Sequence, residues 1–367
     1  MPSYKIVYYI SGHGYGHAVR SIETINKLLG SGCEVCIKTL SPAFLFEEGL
    51  SRPVEILPEG FDVGLYQIDN IRFDLEKTKE SVKKLLASAE KLIQKEQEFL
   101  LSHDISGIVC DIPFIPLAAA GRLGLPSVGV SNFSWDWIYS SYGQKDPDWN
   151  PLVETIRRYY QEGGLLLRLP FYGEMAAFHR VEDVPLVARK SKKERVEIRQ
   201  ALDLSLDRKI GLIGFNFLEL QEQALKSINQ LYPEYLFLIR PPLNLKSSVF
   251  KRVEGGEASF VDLVCAVDFV ISKPGYGMVS DCLSHGTPLI YSDRGIFPEY
   301  SILVEGIKAH LSCCYVPKED LYSGKWKPYL EGLSQQPRRQ PGLRTDGAQV
   351  AAERILECID NVQKGKK

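Results

Sequence analysis

The stretch Lys5–Ala18, KIVYYISGHGYGHA, decides how the rest of the chain reads. Lys5–Ile10 is a short run of β-branched and aromatic residues, and Gly12, Gly14 and Gly16 follow at alternate positions. From Ala18 to Leu29 the residues Ile22, Ile25, Leu28 and Leu29 recur at helical spacing, and Gly30 with Gly32 ends the segment. Strand, glycine-rich turn and helix in that order open a parallel βαβ unit. The glycines let the backbone turn sharply and leave room beside it. The helix that follows points its free N–H groups into that room, which suits an anion or a polar ligand.

The same grammar continues outward. Glu34–Leu40 is a strand, a short helix precedes Gly49, and Val54–Leu57 is a brief strand. Ile71–Leu101 is one long helix or two. Ile108–Cys110 closes a buried strand that runs into Asp111, Pro116–Leu123 is its helix, and Ser127–Val130 is the next strand. After a Pro-containing connection at Val181–Lys190 the alternation restarts with helix Lys190–Leu202, strand Ile210–Phe215, helix Leu218–Leu231 and strand Tyr235–Ile239. Phe269–Ser272 then breaks at Lys273-Pro274-Gly275, and a helix from about Gly277 to Ser284 leads to strand Pro288–Tyr291. This predicts an α/β protein of two Rossmann-like domains facing a cleft, residues 1–185 and 186–345. A C-terminal helix, Gln349–Ile359 within 346–367, is expected to pack back across the boundary.

Length and charge agree with that division. The 367 residues suffice for two ordinary domains, and 44 Lys plus Arg against 46 Asp plus Glu leave no basic footprint for a nucleic-acid partner. No apolar run approaches the roughly 18 residues of a membrane span. The strand-like start, broken at Gly12, does not read as a signal peptide, so the expectation is a cytoplasmic chain whose eight cysteines are thiols. Cys33-x-x-Cys36 and Cys313-Cys314 fall on strands and read as buried side chains.

The first turn carries two of the six histidines, His13 and His17. Its G-x-G-x-G spacing departs from the dinucleotide fingerprint, and Lys38-Thr39-Leu40 stand where that motif needs an acid, which argues against NAD. No neighbouring residues complete a metal set around the histidines, so no metal is expected. Asp111 ends a strand whose carboxyl edge is shared with the first turn. A carboxylate there can hold one imidazole nitrogen while the other takes a proton, making His17 the base and Asp111 its orienter. Both residues also fit plainer parts, as a helix-capping histidine and a loop-fixing carboxylate.

Two further loops reach the same level. Asn132, Trp135 and Trp137 lie in Ser131–Tyr139, where aromatic faces among polar side chains suit a sugar or another amphipathic acceptor, or else pack the two domains together. With His13, Gly14, Tyr15 and Gly16 they form the candidate acceptor side. Lys273, Gly275, Tyr276 and Gly277 open a helix whose N–H groups can cradle a pyrophosphate, with Asp281 one turn in for ribose hydroxyls. Gly214 and Asn216 after strand Ile210–Phe215, Arg240, and Glu299 complete the candidate donor side.

Gly14–His17 resembles the G-x-G-H loop that carries the catalytic histidine in plant UDP-glycosyltransferases of the GT-B fold, and Asp111 is similar to the aspartate paired with it. Lys273–Asp281 resembles their donor-binding signature. A resemblance covering nearly the whole chain is to the N-terminal, glycosyltransferase-like region of plant L-arabinokinase and its stand-alone bacterial relatives. It rests on Gly12–Ala18, Asn132–Asp136, Asp183–Val187 and Gly275–Gly277 with Val279-Ser280. The resemblance implies a GT-B fold and metal-independent, inverting transfer of a sugar from a nucleotide-diphosphate donor, UDP-linked, to an acceptor hydroxyl. No separate cofactor is implied. Two departures bear on the donor: Lys273 replaces a histidine that touches the pyrophosphate, and Pro298-Glu299 replaces the Asp-Gln pair that reads the sugar. The same fold serves nucleotide-sugar epimerases and hydrolases, and a nucleotide-sugar-binding module without turnover is the alternative from another class.

Overall fold

The computed structural model of the chain describes residues 4–69, 72–205, 208–218, 220, 222–337, 339 and 342–365. Two parallel sheets organise it. In the first, the strands lie side by side as Glu55–Leu57, Glu34–Thr39, Lys5–Ile10, Gly107–Asp111, Ser127–Ser131, Leu165–Arg168 and Arg180–Asp183. In the second they run Phe250–Arg252, Tyr235–Ile239, Lys209–Ile213, Phe269–Ser272, Leu289–Tyr291 and Cys313–Tyr315. Each order starts at a central strand, goes outward one way, then returns to the other side of that strand. The place where it reverses is the switch point at which α/β sheets bind ligands. In the first sheet it lies between Lys5–Ile10 and Gly107–Asp111, where Ile10 pairs with Asp111. In the second it lies between Lys209–Ile213 and Phe269–Ser272.

Strand alternation sends side chains to opposite faces. Ile6, Tyr8 and Ile10 pack with Ile22, Ile25 and Leu28 of helix Tyr15–Gly30, while Val7 and Tyr9 join Ile93, Leu117 and Ala118 on the other face. Burying each such aliphatic side chain contributes about 1.5–3 kcal/mol. The first of these clusters continues into the second half through Leu212, Val270 and Val279, so one apolar core crosses the boundary.

Helix Gly347–Gly365 is part of that core. Ala351, Ile355 and Ile359 are buried in it, and Ile359 sits so close to Gly107 that a Cβ there would meet it at 2.8 Å. Arg354 donates twice to Glu182, at 2.8 and 2.7 Å, and the Tyr4 hydroxyl donates to Asp360. The last helix of the chain therefore covers the first sheet.

Several element bounds differ from the expected ones. The stretch at 71–101 is two helices, Leu75–Ala87 and Ala89–Ser102, the first capped by Asp74, which accepts from the Lys77 N–H at 2.9 Å. Helix Arg195–Ala201 starts well after Lys190. Ser191 is pinned outside it, donating its N–H to His285 at 3.1 Å and its hydroxyl to Asp262 at 2.6 Å, and the helix opens on the Glu194–Glu197 capping box. Helix Glu222–Leu231 begins later than Leu218. The expected boundary at Val181–Lys190 starts inside the first sheet, because Arg180–Asp183 is its edge strand. Met1, Ile71, Glu219, Gln221, Lys366 and Lys367, within the expected elements and tail, lie outside the described residues.

Candidate active site

The two glycine turns meet across the boundary. Gly14 has φ 70°, a left-handed conformation that favours glycine, and it leads into helix Tyr15–Gly30. Gly275 leads likewise into helix Tyr276–His285. A Cβ on Gly277 would lie 3.7 Å from the Gly16 Cα, so the two helix starts approach backbone to backbone. His17 is the third residue of the first helix and is buried.

His17 Nδ1 lies 2.8 Å from Asp111 Oδ1. Arg20, one turn further along the helix, donates its Nε to Asp111 Oδ2 at 2.5 Å and its Nη2 to Oδ1 at 2.5 Å. The Ser21 hydroxyl donates to Oδ2 at 3.1 Å. Burial alone would raise the Asp111 carboxyl; the Arg20 guanidinium and then His17 reverse this and hold it below the ordinary aspartate value. The network runs on. Arg20 Nη1 donates to Asn132 Oδ1 at 2.6 Å, and Asn132 Nδ2 donates to Glu299 Oε1 of the second half at 2.7 Å. Arg294 Nη1 donates to Glu299 Oε2 at 2.5 Å and reaches the Pro274 carbonyl at 3.2 Å. A chain of charge-assisted hydrogen bonds thus links His17 to the turn that begins at Lys273. Lys273 is half-buried, and burial first, then Arg294, push its ammonium down to about 8.

The other expected residues divide. His13 is half-buried, and its Nδ1 accepts from the Leu65 N–H at 3.2 Å. Its ring meets Trp135 edge-on at 5.5 Å and stacks on Phe297 at 6.0 Å. Burial, then its neighbours His17, Arg294 and Lys273, drive it down to about 3, so it is a neutral packing group. Trp135 is fully buried with Nε1 on Asp62 at 2.8 Å. Trp137 turns away to cover Gly173, where a Cβ would meet its ring at 2.5 Å. Tyr15 is exposed, edge-on to Phe44 at 5.8 Å.

On the donor side, a Cβ on Gly214 would lie 2.5 Å from the Met278 methyl and 3.1 Å from the Ser272 side chain, and Asn216 is exposed. Arg240 faces the Glu48 carboxylate of the first half at 3.7 Å. Two carboxylates differ most from expectation. Asp281 is buried, and Arg189 of the connection takes both its oxygens, one at 3.2 Å. Glu299 is buried between Asn132 and Arg294. Neither carboxylate is open to a ribose or a sugar in this conformation.

The sequence reading missed Arg20, Arg294 and Phe297. Phe297 belongs to the second half, yet it is buried among Phe133, His13 and Phe73 of the first, with Arg294 over its ring at 4.3 Å. Beside it a cavity of about 330 Å³ opens between the halves, walled by Tyr142, Trp149, Ile296, Phe297 and Tyr300. The signals were present: Arg20 shares a helix face with His17 at i+3, and Ile296-Phe297-Pro298 is an apolar step in a polar loop. Among the described residues no three His, Cys, Asp or Glu side chains converge to hold a metal, and no helix is long and apolar enough to cross a membrane.

Two switch-point sheets with facing glycine turns define the GT-B fold, and comparison with solved structures agrees. The chain superposes on calicheamicin glycosyltransferase CalG4 with a TM-score of 0.60 at 13% identity, covering 99% of this chain and 95% of that one. It superposes on Arabidopsis thaliana UGT89C1, solved with UDP-L-rhamnose, with a TM-score of 0.62 at 13% identity, covering 99% of each. The chain is a GT-B-fold protein. In sequence it is 31% identical over 361 residues, 95% of its length, to L-arabinokinase of Arabidopsis thaliana, of which it spans 34%. No protein-family model matches it.

Proposed function

We propose that this chain is an enzyme that transfers a sugar from a nucleotide-diphosphate donor, UDP-linked, to an acceptor hydroxyl, with inversion and without a metal. The observation that carries the reading is the buried His17–Asp111 pair at the first switch point, backbone to backbone with the helix start at the second. The GT-B fold supports it. Asp111 accepts from His17 Nδ1–H and leaves Nε2 as the basic nitrogen. Nε2 takes the acceptor's O–H proton as that oxygen attacks the anomeric carbon. The bond from that carbon to the diphosphate oxygen breaks, and the electron pair leaves with the diphosphate. The N–H groups of Tyr276, Gly277 and Met278, ahead of the first intrahelical bond from Val279 N–H to the Gly275 carbonyl, and the Lys273 ammonium would receive that charge. Substrates would enter after the Asn132–Glu299 contact parts, which is domain opening.

The alternative is a module that binds the nucleotide sugar without turnover. One experiment separates the two. Thermal unfolding with UDP, GDP, dTDP and ADP identifies the base, since a ligand at 100 times its Kd stabilises by roughly 2.7 kcal/mol. The sugar nucleotides of that base are then incubated with pooled hydroxyl acceptors, with and without EDTA, and products are read by mass spectrometry and anomeric NMR. New glycosides, lost in His17→Ala, support transfer. A thermal shift with no glycoside from any acceptor would favour the binding module. No shift at all would remove the donor site.

A further inference from the structure

Arg20 stands outside the reaction just described, yet it makes more contacts with Asp111 than His17 does. Its Nη2 carries two hydrogens. One goes to Asp111 Oδ1 at 2.5 Å and the other to Ser131 Oγ at 3.0 Å. None is left for His17 Nδ1, although that atom lies only 3.1 Å away. The imidazole must therefore be the donor in its contact with Asp111, so Nδ1 carries the proton and Nε2 is left bare. The Nε hydrogen on Asp111 Oδ2 fixes the plane of the carboxylate, and Nη1 on Asn132 fixes the guanidinium in turn. Asn132 has one orientation open to it, because its amide nitrogen faces two acceptors, Glu299 Oε1 and the Phe171 carbonyl at 3.3 Å. The forked pair also places one positive charge against one negative charge beside the imidazole, in a region closed to water.

We propose that Arg20 is a positioning residue for His17: it fixes the Asp111 carboxylate, cancels its charge and aims the shared oxygen Oδ1 so that it orients the imidazole. The inference rests on the reading of His17 as the base. With Arg20 absent, a bare buried carboxylate would face His17 and would draw a proton onto the pair. With Arg20 present, Asp111 orients the ring without that pull. The titratable groups facing His17 are Asp111, Asp62 and His13 from its own half, and Tyr276 and Glu299 act on Arg20 from the other.

The test uses full-length protein labelled with ¹⁵N-histidine and arginine, with His17 assigned by His17→Gln. Arg20→Met removes the charge at similar volume and should raise the His17 titration midpoint by about one pH unit, a tenfold change in proton affinity. Arg20→Lys restores the charge and should return the midpoint most of the way. An unchanged midpoint in Arg20→Met overturns the proposal, and so does Arg20→Lys shifting as far as Arg20→Met. Should Arg20→Met fail to fold, the wild-type chain still decides. Its Arg20 Nε–H should exchange with solvent at least about 10³-fold more slowly than an exposed arginine, since it opens only when the core does. Exchange at the exposed rate would sink the idea. These readings need no substrate, so their failure leaves glycosyl transfer standing, and absence of transfer leaves Arg20's role standing.

Discussion

The two glycine turns hold equivalent positions, each at the reversal of its own sheet, but their polar groups are arranged differently. Around the first, His17, Asp111, Arg20, Ser21 and Asn132 satisfy one another at 2.5–3.1 Å. Around the second, Lys273 stands half-buried with a lowered proton affinity, while the nearby carboxylates Asp281 and Glu299 are occupied by arginines. One turn holds a fully paired polar network. The other holds a half-buried cation whose nearby acids are already engaged. A fully paired buried network is rigid and orients a base well. Lys273 is desolvated and, among the described residues, makes no ion pair as close as those of the first turn, with Asp69 acting on it only as a weaker opposing charge.

The comparison breaks most severely if the first turn is not where the chemistry occurs. His17→Ala should lower turnover of the transfer reaction by about 10²–10⁴-fold. UDP affinity, which the proposed function assigns to the second turn, should stay as it was. Single-turnover kinetics and calorimetry on the same preparation check both halves of the statement, and lost affinity with normal turnover would reverse the assignment.

Phe297 tests whether the second half helps build the first. Its ring fills the aromatic cluster of His13, Phe73 and Phe133, so Phe297→Ala should cost about 3–5 kcal/mol in urea unfolding. It should also join the neighbouring cavity to the space beside His13, which a shift of the His13 ring signals would report. A loss under about 1 kcal/mol, the range of surface changes, would mean that the loop is not seated there in solution.

Asp281 sharpens the contrast from the other side. Asp281→Asn leaves the Arg189 guanidinium, itself partly exposed, without its counter-charge and should cost about 2 kcal/mol of stability. Arg189→Met should cost similarly, and the double variant less than the sum, because the residues act as one pair. UDP affinity in the folded Asp281→Asn protein should change little. A large loss of affinity would restore Asp281 as the ribose ligand and make Arg189 its occupant in the empty state.

The fold was legible because it depends on local grammar. Alternating strands and helices predict parallel sheets, and glycines at strand ends mark the turns where ligands bind. The His17–Asp111 pair was legible for the same reason, since Asp111 ends one strand and His17 opens the helix after the adjacent one, at the same sheet edge. Arg20 was not, because a charged residue in an amphipathic helix ordinarily faces water, whereas here Asp111, Ser131 and Asn132 hold it inside and Tyr276 of the second half packs against it. The place of Asp281 was legible, but its arginine partner was not. Its arginine comes from the connection, 92 residues away, and no local spacing announces such a pair. The bound of the helix at Arg195 failed likewise, since Ser191 is held by His285 and Asp262 from the body of the second half.

Lys273 supplies the smallest effect and the finest distinction between the turns. Burial and Arg294 bring its ammonium from an ordinary 10.5 down to about 8. In the folded chain the proton is lost as pH rises through 8, whereas the unfolded chain keeps it until near 10.5. The unfolded state then binds more protons in that window, so this residue makes the chain more stable as pH rises from 8 to 10.5. A bound diphosphate favours the charged form and reverses the sign for binding. UDP affinity should therefore fall about tenfold between pH 7 and pH 9, one proton being taken up per complex. Lys273→Met should bind more weakly at pH 7 and lose the dependence, which calorimetry in buffers of different ionisation enthalpy can read directly. If the dependence survives in Lys273→Met, the diphosphate is held elsewhere, and the second turn loses the one group that sets it apart from the first.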